Sequence, residues 1–165
     1  TPHHKHDTAQ FLIAKKYNIP SILLIRRPED AVISFIIREP CLSLEKTLKY
    51  WIHFHERLLK DKDSYIIADF NEITKDFGTV IQRVNQYFGT NFEVFLHTTE
   101  NVNQCFSEME SFQKKIHQNQ VRELSIPRPS IGRKDKKEKL LFQLSEFHLQ
   151  SLTKEANQIY NSYFS

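Results

Sequence analysis

Arg26 and Ser34 carry the most pointed chemistry in this sequence. A guanidinium presents a planar fork of donors that matches a phosphate, and a serine hydroxyl adds one more. Eight positions separate the two residues. Arg26 follows the apolar, partly β-branched run Ser21-Ile22-Leu23-Leu24-Ile25, and Pro28-Glu29-Asp30 comes just after it. Proline suits the first position of a helix and carboxylates suit its first turn, so a helix opens there and carries the Ser34 hydroxyl. Seven residues of helix cover about 10 Å, a gap that a long arginine side chain and one bound phosphate can close between them. Arg26 and Arg27 thus stand at the carboxyl end of a buried strand, the edge where open α/β sheets bind ligands. This is an anion site in outline; the alternative is a solvated arginine at an ordinary strand end.

The elements around this pair follow from breakers and periodicity. Residues Asp7 to Lys16 suit a short helix, which Asn18-Ile19-Pro20 break before the strand Ser21–Ile25. The helix from Pro28 runs to Arg38 and stops at Glu39-Pro40, because the residue before a proline is driven out of the helical region. Ser43 can cap a long helix with apolar positions at Leu44, Leu48, Trp51, His55 and Leu58, a period close to 3.6. After a charged turn at Lys60–Asp63, residues 64–70 read as a second buried strand. Thr74 can cap the next helix, with Phe77, Val80, Ile81, Val84 and Phe88 inward and Gly89 closing it. Residues 91–100 read as irregular, Val102 to Arg122 as an amphipathic helix, and Ile126 to Lys137 as an open loop holding five cations. A last helix begins at Lys137 or Ser145 and reaches Tyr163. Strands alternating with helices at this spacing predict an α/β fold, a parallel sheet flanked by helices, with more helix in the C-terminal half.

Composition agrees. The chain has 165 residues, 39% hydrophobic and 12% aromatic with 13 Phe, enough to bury one core, so 1–165 reads as a single domain. A net charge of +3 suits an anionic small molecule and does not call for nucleic acid. No apolar run reaches the length of a membrane span, and no signal peptide opens the sequence, so the expectation is a cytoplasmic protein. Cys41 and Cys105 are too few and too far apart for a disulfide framework or a zinc site.

The segment Arg26, Pro28, Asp30, Ser34, Phe35 resembles the 3′-phosphate-binding segment of the sulfotransferase superfamily, Arg-x-Pro-x-Asp-x-x-x-Ser and an aromatic after a strand. Those enzymes use 3′-phosphoadenosine 5′-phosphosulfate (PAPS). A second block, Asp69-Phe70-Asn71-Glu72-Ile73 with a helix ending Tyr87-Phe88-Gly89, is similar to the family's strand, Tyr-Glu-Asp-Leu and a helix closing in Phe-Leu-Gly. Phe70 stands where the family has a tyrosine that packs on the adenine, while Asn71 and Glu72 depart from its Glu-Asp. Trp51, the only tryptophan, stands where the family often has one near the nucleotide; core packing is the other reading. The cationic stretch resembles the family's basic loop over the 3′-phosphate, with Arg128 and Arg133 as candidate ligands. Pro129-Ser130 stand where the family has Lys-Gly, and a solvated charge run is the alternative.

The resemblance implies a P-loop, nucleoside-kinase-like sheet and PAPS as co-substrate, with no metal. It also implies a first strand and a Gly-rich phosphosulfate loop, and the three glycines, Gly78, Gly89 and Gly132, form no such loop here. The family's general base is a histidine about twenty residues before the arginine. His4 lies 22 and His6 lies 20 residues before Arg26, and an imidazole titrating near neutrality suits that task. Residues i and i+2 of a strand share a face, so His4 and His6 also permit a two-histidine metal pair or a plain exposed terminus. The implied activity is sulfuryl transfer from PAPS to a hydroxyl or amine of a small-molecule or carbohydrate acceptor. The alternative is a non-catalytic nucleotide- or protein-binding module of the same fold.

Overall fold

The computed structural model describes residues 7–116 and 131–165. Helix α1, Thr8–Lys16, starts at Asp7, whose carboxylate accepts from the Ala9 N–H at 2.9 Å. Strand β1, Ile22–Ile25, buries Leu23 and Ile25 and turns Leu24 to the other face. Helix α2, Pro28–Arg38, has its proline in the first turn with Glu29 and Asp30, as those residue types dictate. Helix α3, Leu44–Leu59, is capped by the Ser43 hydroxyl, which accepts from the Lys46 N–H. A 3-10 turn at Lys62–Ser64 leads into strand β2, Ile66–Asp69. Then come α4, Phe70–Lys75; α5, Phe77–Phe88, closed by Gly89 in the left-handed conformation; and α6, Thr99–Ile116. Helices α7, Ile131–Leu144, and α8, Phe147–Ser162, complete the described residues.

The two strands pair in parallel, Ile22 opposite Ile66 and Ile25 opposite Asp69. Parallel neighbours need a crossover between them, which α2 and α3 supply. The architecture is thus α/β at the coarse level, helix-rich around a small parallel sheet. One core joins Leu23 and Ile25 of β1, Val32, Ile33, Ile36 and Ile37 of α2, Leu48, Ile52 and Leu58 of α3, and Leu149, Ala156 and Ile159 of α8. No helix among the described residues is long and apolar enough to cross a membrane.

Four expectations need correction. Phe70 does not end a strand but opens α4, because the Asp69 carboxylate accepts from the Asn71 N–H at 2.8 Å and caps a helix there. Thr74 caps nothing: it lies inside α4 and its hydroxyl bonds back to the Phe70 carbonyl, while Asp76 caps α5 through the Thr79 N–H and hydroxyl. Residues 131–137, read as open loop, are the first half of α7. After Pro129 no further proline interrupts a run of Lys, Glu, Leu and Gln, which favour helix. The final helix is two helices, broken at Ser145-Glu146.

Helix α8 closes over α3 through a polar contact in the core. The buried Tyr163 hydroxyl donates to the His55 carbonyl at 2.9 Å, and the buried Tyr65 hydroxyl donates to the Leu58 carbonyl at 2.7 Å. Burial pushes both phenols well above the usual tyrosine range, so both remain protonated donors. Replacing Tyr163 with Phe removes this buried hydrogen bond while the His55 carbonyl keeps its bond within α3, and should lower stability by about 0.5–1.5 kcal/mol in urea unfolding. An unchanged unfolding midpoint would show that the bond contributes nothing.

Candidate functional site

A pocket of about 240 Å³ lies between α2, α3 and the carboxyl ends of the strands. Its wall follows from three simple periodicities. On β1, Leu24 and Arg26 are two residues apart and share the face opposite the buried Leu23 and Ile25. On α2, Ala31, Ser34, Phe35 and Arg38 form one stripe spaced i, i+3, i+4 and i+7 beside the core stripe of Val32, Ile33, Ile36 and Ile37. On α3, Thr47, Tyr50, Trp51, Phe54 and His55 repeat the same pattern. Phe70 supplies the remaining side.

The sheet register sets the first contact inside it. Ile25 is opposite Asp69, so Arg26 and Phe70 leave the strand ends side by side. The Arg26 guanidinium lies over the Phe70 ring, 4.4 Å from its centroid, a cation held against the negative face of the ring. Asp69 fixes this arrangement twice. Its carboxylate caps α4, which sets Phe70, and it accepts from the Tyr160 hydroxyl of α8 at 2.6 Å. Burial, with that hydrogen bond second, pushes the Tyr160 phenol up to about 12.

Positive charge gathers at the pocket, and among its lining residues there is no Asp or Glu. Arg38 stands over Phe35, its guanidinium 5.1 Å from the ring centroid, and pairs with Glu39 at 3.8 Å. Arg133, half-buried on α7, lies close by: burial first, then the charges of Arg26 and Arg38, hold its guanidinium below the usual arginine range. Lys137, one turn further along α7, pairs with Asp30 of α2 at 2.7 Å and ties the two helices together.

His55 is 6% exposed and lies in the pocket wall with the Trp51 ring 4.0 Å from its own, centroid to centroid. The Tyr163 hydroxyl, which donates to the His55 carbonyl at 2.9 Å, also lies 3.3 Å from His55 Nδ1.

Of the residues singled out from the sequence, Arg26, Ser34, Trp51 and Phe70 all line this one pocket. Trp51 is 8% exposed and belongs to the core as well as to the wall. Arg133 is not in the lining but stands near Arg26 and Arg38. His4, His6 and Arg128 lie outside the described residues. Phe35 stands in the sequence only as the motif's aromatic and His55 only as a reserve base after His4 and His6, and Arg38, Tyr50 and Phe54 carry no site signal of their own there. Their only signal is the stripes beside Ser34 and Trp51. Among the described residues, no group of three or more His, Cys, Asp or Glu could hold a metal ion.

No family model, no curated protein and no solved structure matches the chain. The resemblance in sequence therefore rests on the motif residues alone.

Proposed function

We propose that the chain is a sulfotransferase-like protein of the P-loop kind that binds PAPS and transfers its sulfuryl group to a hydroxyl or amine of a small-molecule or carbohydrate acceptor. One observation carries this reading. The residues that the motif resemblance selects on three separate segments, Arg26 and Ser34, Trp51, and Phe70, face one pocket with an aromatic wall, cationic side chains and no lining carboxylate. Arg26 and Ser34 are the donors for the 3′-phosphate, and Trp51, Phe54 and Phe70 are ring surfaces for the adenine. A pocket near 240 Å³ is below the roughly 300–1,000 Å³ of sites that enclose a drug-sized ligand. It holds part of a nucleotide, with the remainder extending past the exposed Tyr50 and Arg38 at its edge.

In the transfer itself the acceptor oxygen or nitrogen bonds to sulfur as the bond from sulfur to the bridging phosphate oxygen breaks. The acceptor's proton passes to His4 or His6, and adenosine 3′,5′-bisphosphate leaves. The alternative reading is a nucleotide- or protein-binding module of the same fold without catalysis.

Trp51 is the only tryptophan and lines the pocket, so its fluorescence reports directly on an adenine in the site. Titration should show saturable quenching by adenosine 3′,5′-bisphosphate and at least about tenfold weaker binding of adenosine 5′-monophosphate, which lacks the charge-assisted hydrogen bonds to a 3′-phosphate. Equal affinities, or no binding, would remove the 3′-phosphate reading.

A further inference from the structure

We propose that Arg38 forms a second anion subsite of this pocket, holding the ligand's other anionic group one helical turn from the group that Arg26 and Ser34 hold. The inference rests on the nucleotide reading above and adds to it the residue that would hold the second group. Arg38 stands one helical turn beyond Ser34 on the same stripe of α2, and both line the same pocket. Four residues of helix set them about 6 Å apart along the axis, a separation that a sugar bearing two phosphates can bridge. Arg26 and Ser34 serve the first phosphate from the strand end, and Arg38 serves the second from the next turn.

The surroundings suit an anion there. Arg133 comes from α7, which packs on α2 and is tied to it by the Lys137–Asp30 pair. Arg26, Arg38 and Arg133 are close enough for the first two to depress the third. The carboxylate paired with Arg38 is that of Glu39, at 3.8 Å, longer than the about 2.7–2.9 Å of a charge-assisted hydrogen bond. Arg26 and Arg38 line a pocket that no carboxylate lines, and their mutual repulsion is relieved when an anion enters between them. Stacking on Phe35 at 5.1 Å orients Arg38 without neutralising it.

The experiment follows Trp51 fluorescence with adenosine 3′,5′-bisphosphate and with adenosine 3′-monophosphate, on the wild-type chain, on Arg38→Ala and on Arg38→Gln. Both variants should weaken the bisphosphate about tenfold or more and change the monophosphate less than about threefold, because only the bisphosphate has a second group to lose. Arg38→Gln keeps much of the aliphatic stem over Phe35, so agreement between the variants separates lost charge from lost packing. Equal weakening of both ligands, or of neither, would overturn the second subsite and leave the nucleotide reading standing. If neither nucleotide binds the wild type, the nucleotide reading falls. Inorganic pyrophosphate against orthophosphate then decides the subsite alone: an Arg38-dependent preference for pyrophosphate upholds it, and its absence overturns it.

Discussion

Arg26→Ala should weaken adenosine 3′,5′-bisphosphate about 100-fold while leaving the protein folded. A bidentate arginine–phosphate contact comprises two charge-assisted hydrogen bonds, and losing their combined effect of about 3 kcal/mol shifts affinity by about two orders of magnitude. The fold should survive because the Arg26 contact with Phe70 is a cation–π stack, worth about 0.5–2 kcal/mol. Arg26→Lys should restore part of the affinity only, since an ammonium is a point charge without the planar fork and stacks poorly on Phe70. Titration of the three proteins, with melting curves as the control for folding, checks this. An Arg26→Ala protein that binds as the wild type does would move the anion elsewhere and take the motif resemblance with it.

The larger effect is expected on catalysis. If sulfuryl transfer is the activity, replacing the true base among His4 and His6 by Ala should lower the rate by about 10²–10⁴-fold, the usual contribution of a positioned base. Nucleotide affinity should hardly change, because the base acts on the acceptor. The other histidine should tolerate the same change. Single Ala variants, read by sulfate transfer to phenols, alcohols, amines and sugars, decide the matter. Full activity in both would pass the role to another histidine, with His55 in the pocket wall ahead of the exposed His53. Failure of the wild type to modify any acceptor would favour the binding module.

What could be read from the residues was what neighbours in sequence determine. Pro28, the acidic first turn and Glu39-Pro40 delimit α2, Ser43 marks the start of α3 through its capping hydroxyl, and Gly89 marks the end of α5 because it adopts the left-handed conformation without a Cβ clash. Local signals misled where two competed. Gly132 next to two prolines reads as loop, yet the residues after Pro129 are strong helix formers and α7 begins at Ile131. Asp69 is the last residue of its strand, as expected, but its carboxylate also caps α4, so Phe70 begins a helix and does not extend the strand. For the candidate site, the Arg26–Ser34 pair was legible because strand, turn and helix fix it locally. Arg38 was not, because its meaning depends on two helices meeting across a pocket, a non-local fact that spacing on either helix alone does not contain.

The hydroxyl of Tyr163 closes its bond to His55 across 108 positions of chain, and that distance has a meaning during synthesis. A ribosome adds about 5–20 residues per second, so the inner face of α3 waits roughly 5–20 s before α8 exists to cover it. Through that interval the face of α3 that α8 later covers is open to solvent and to other nascent chains. Non-local closure of this kind is slow and prone to aggregation. Yield in cells should therefore respond to chaperone supply, and to translation speed between α3 and α8.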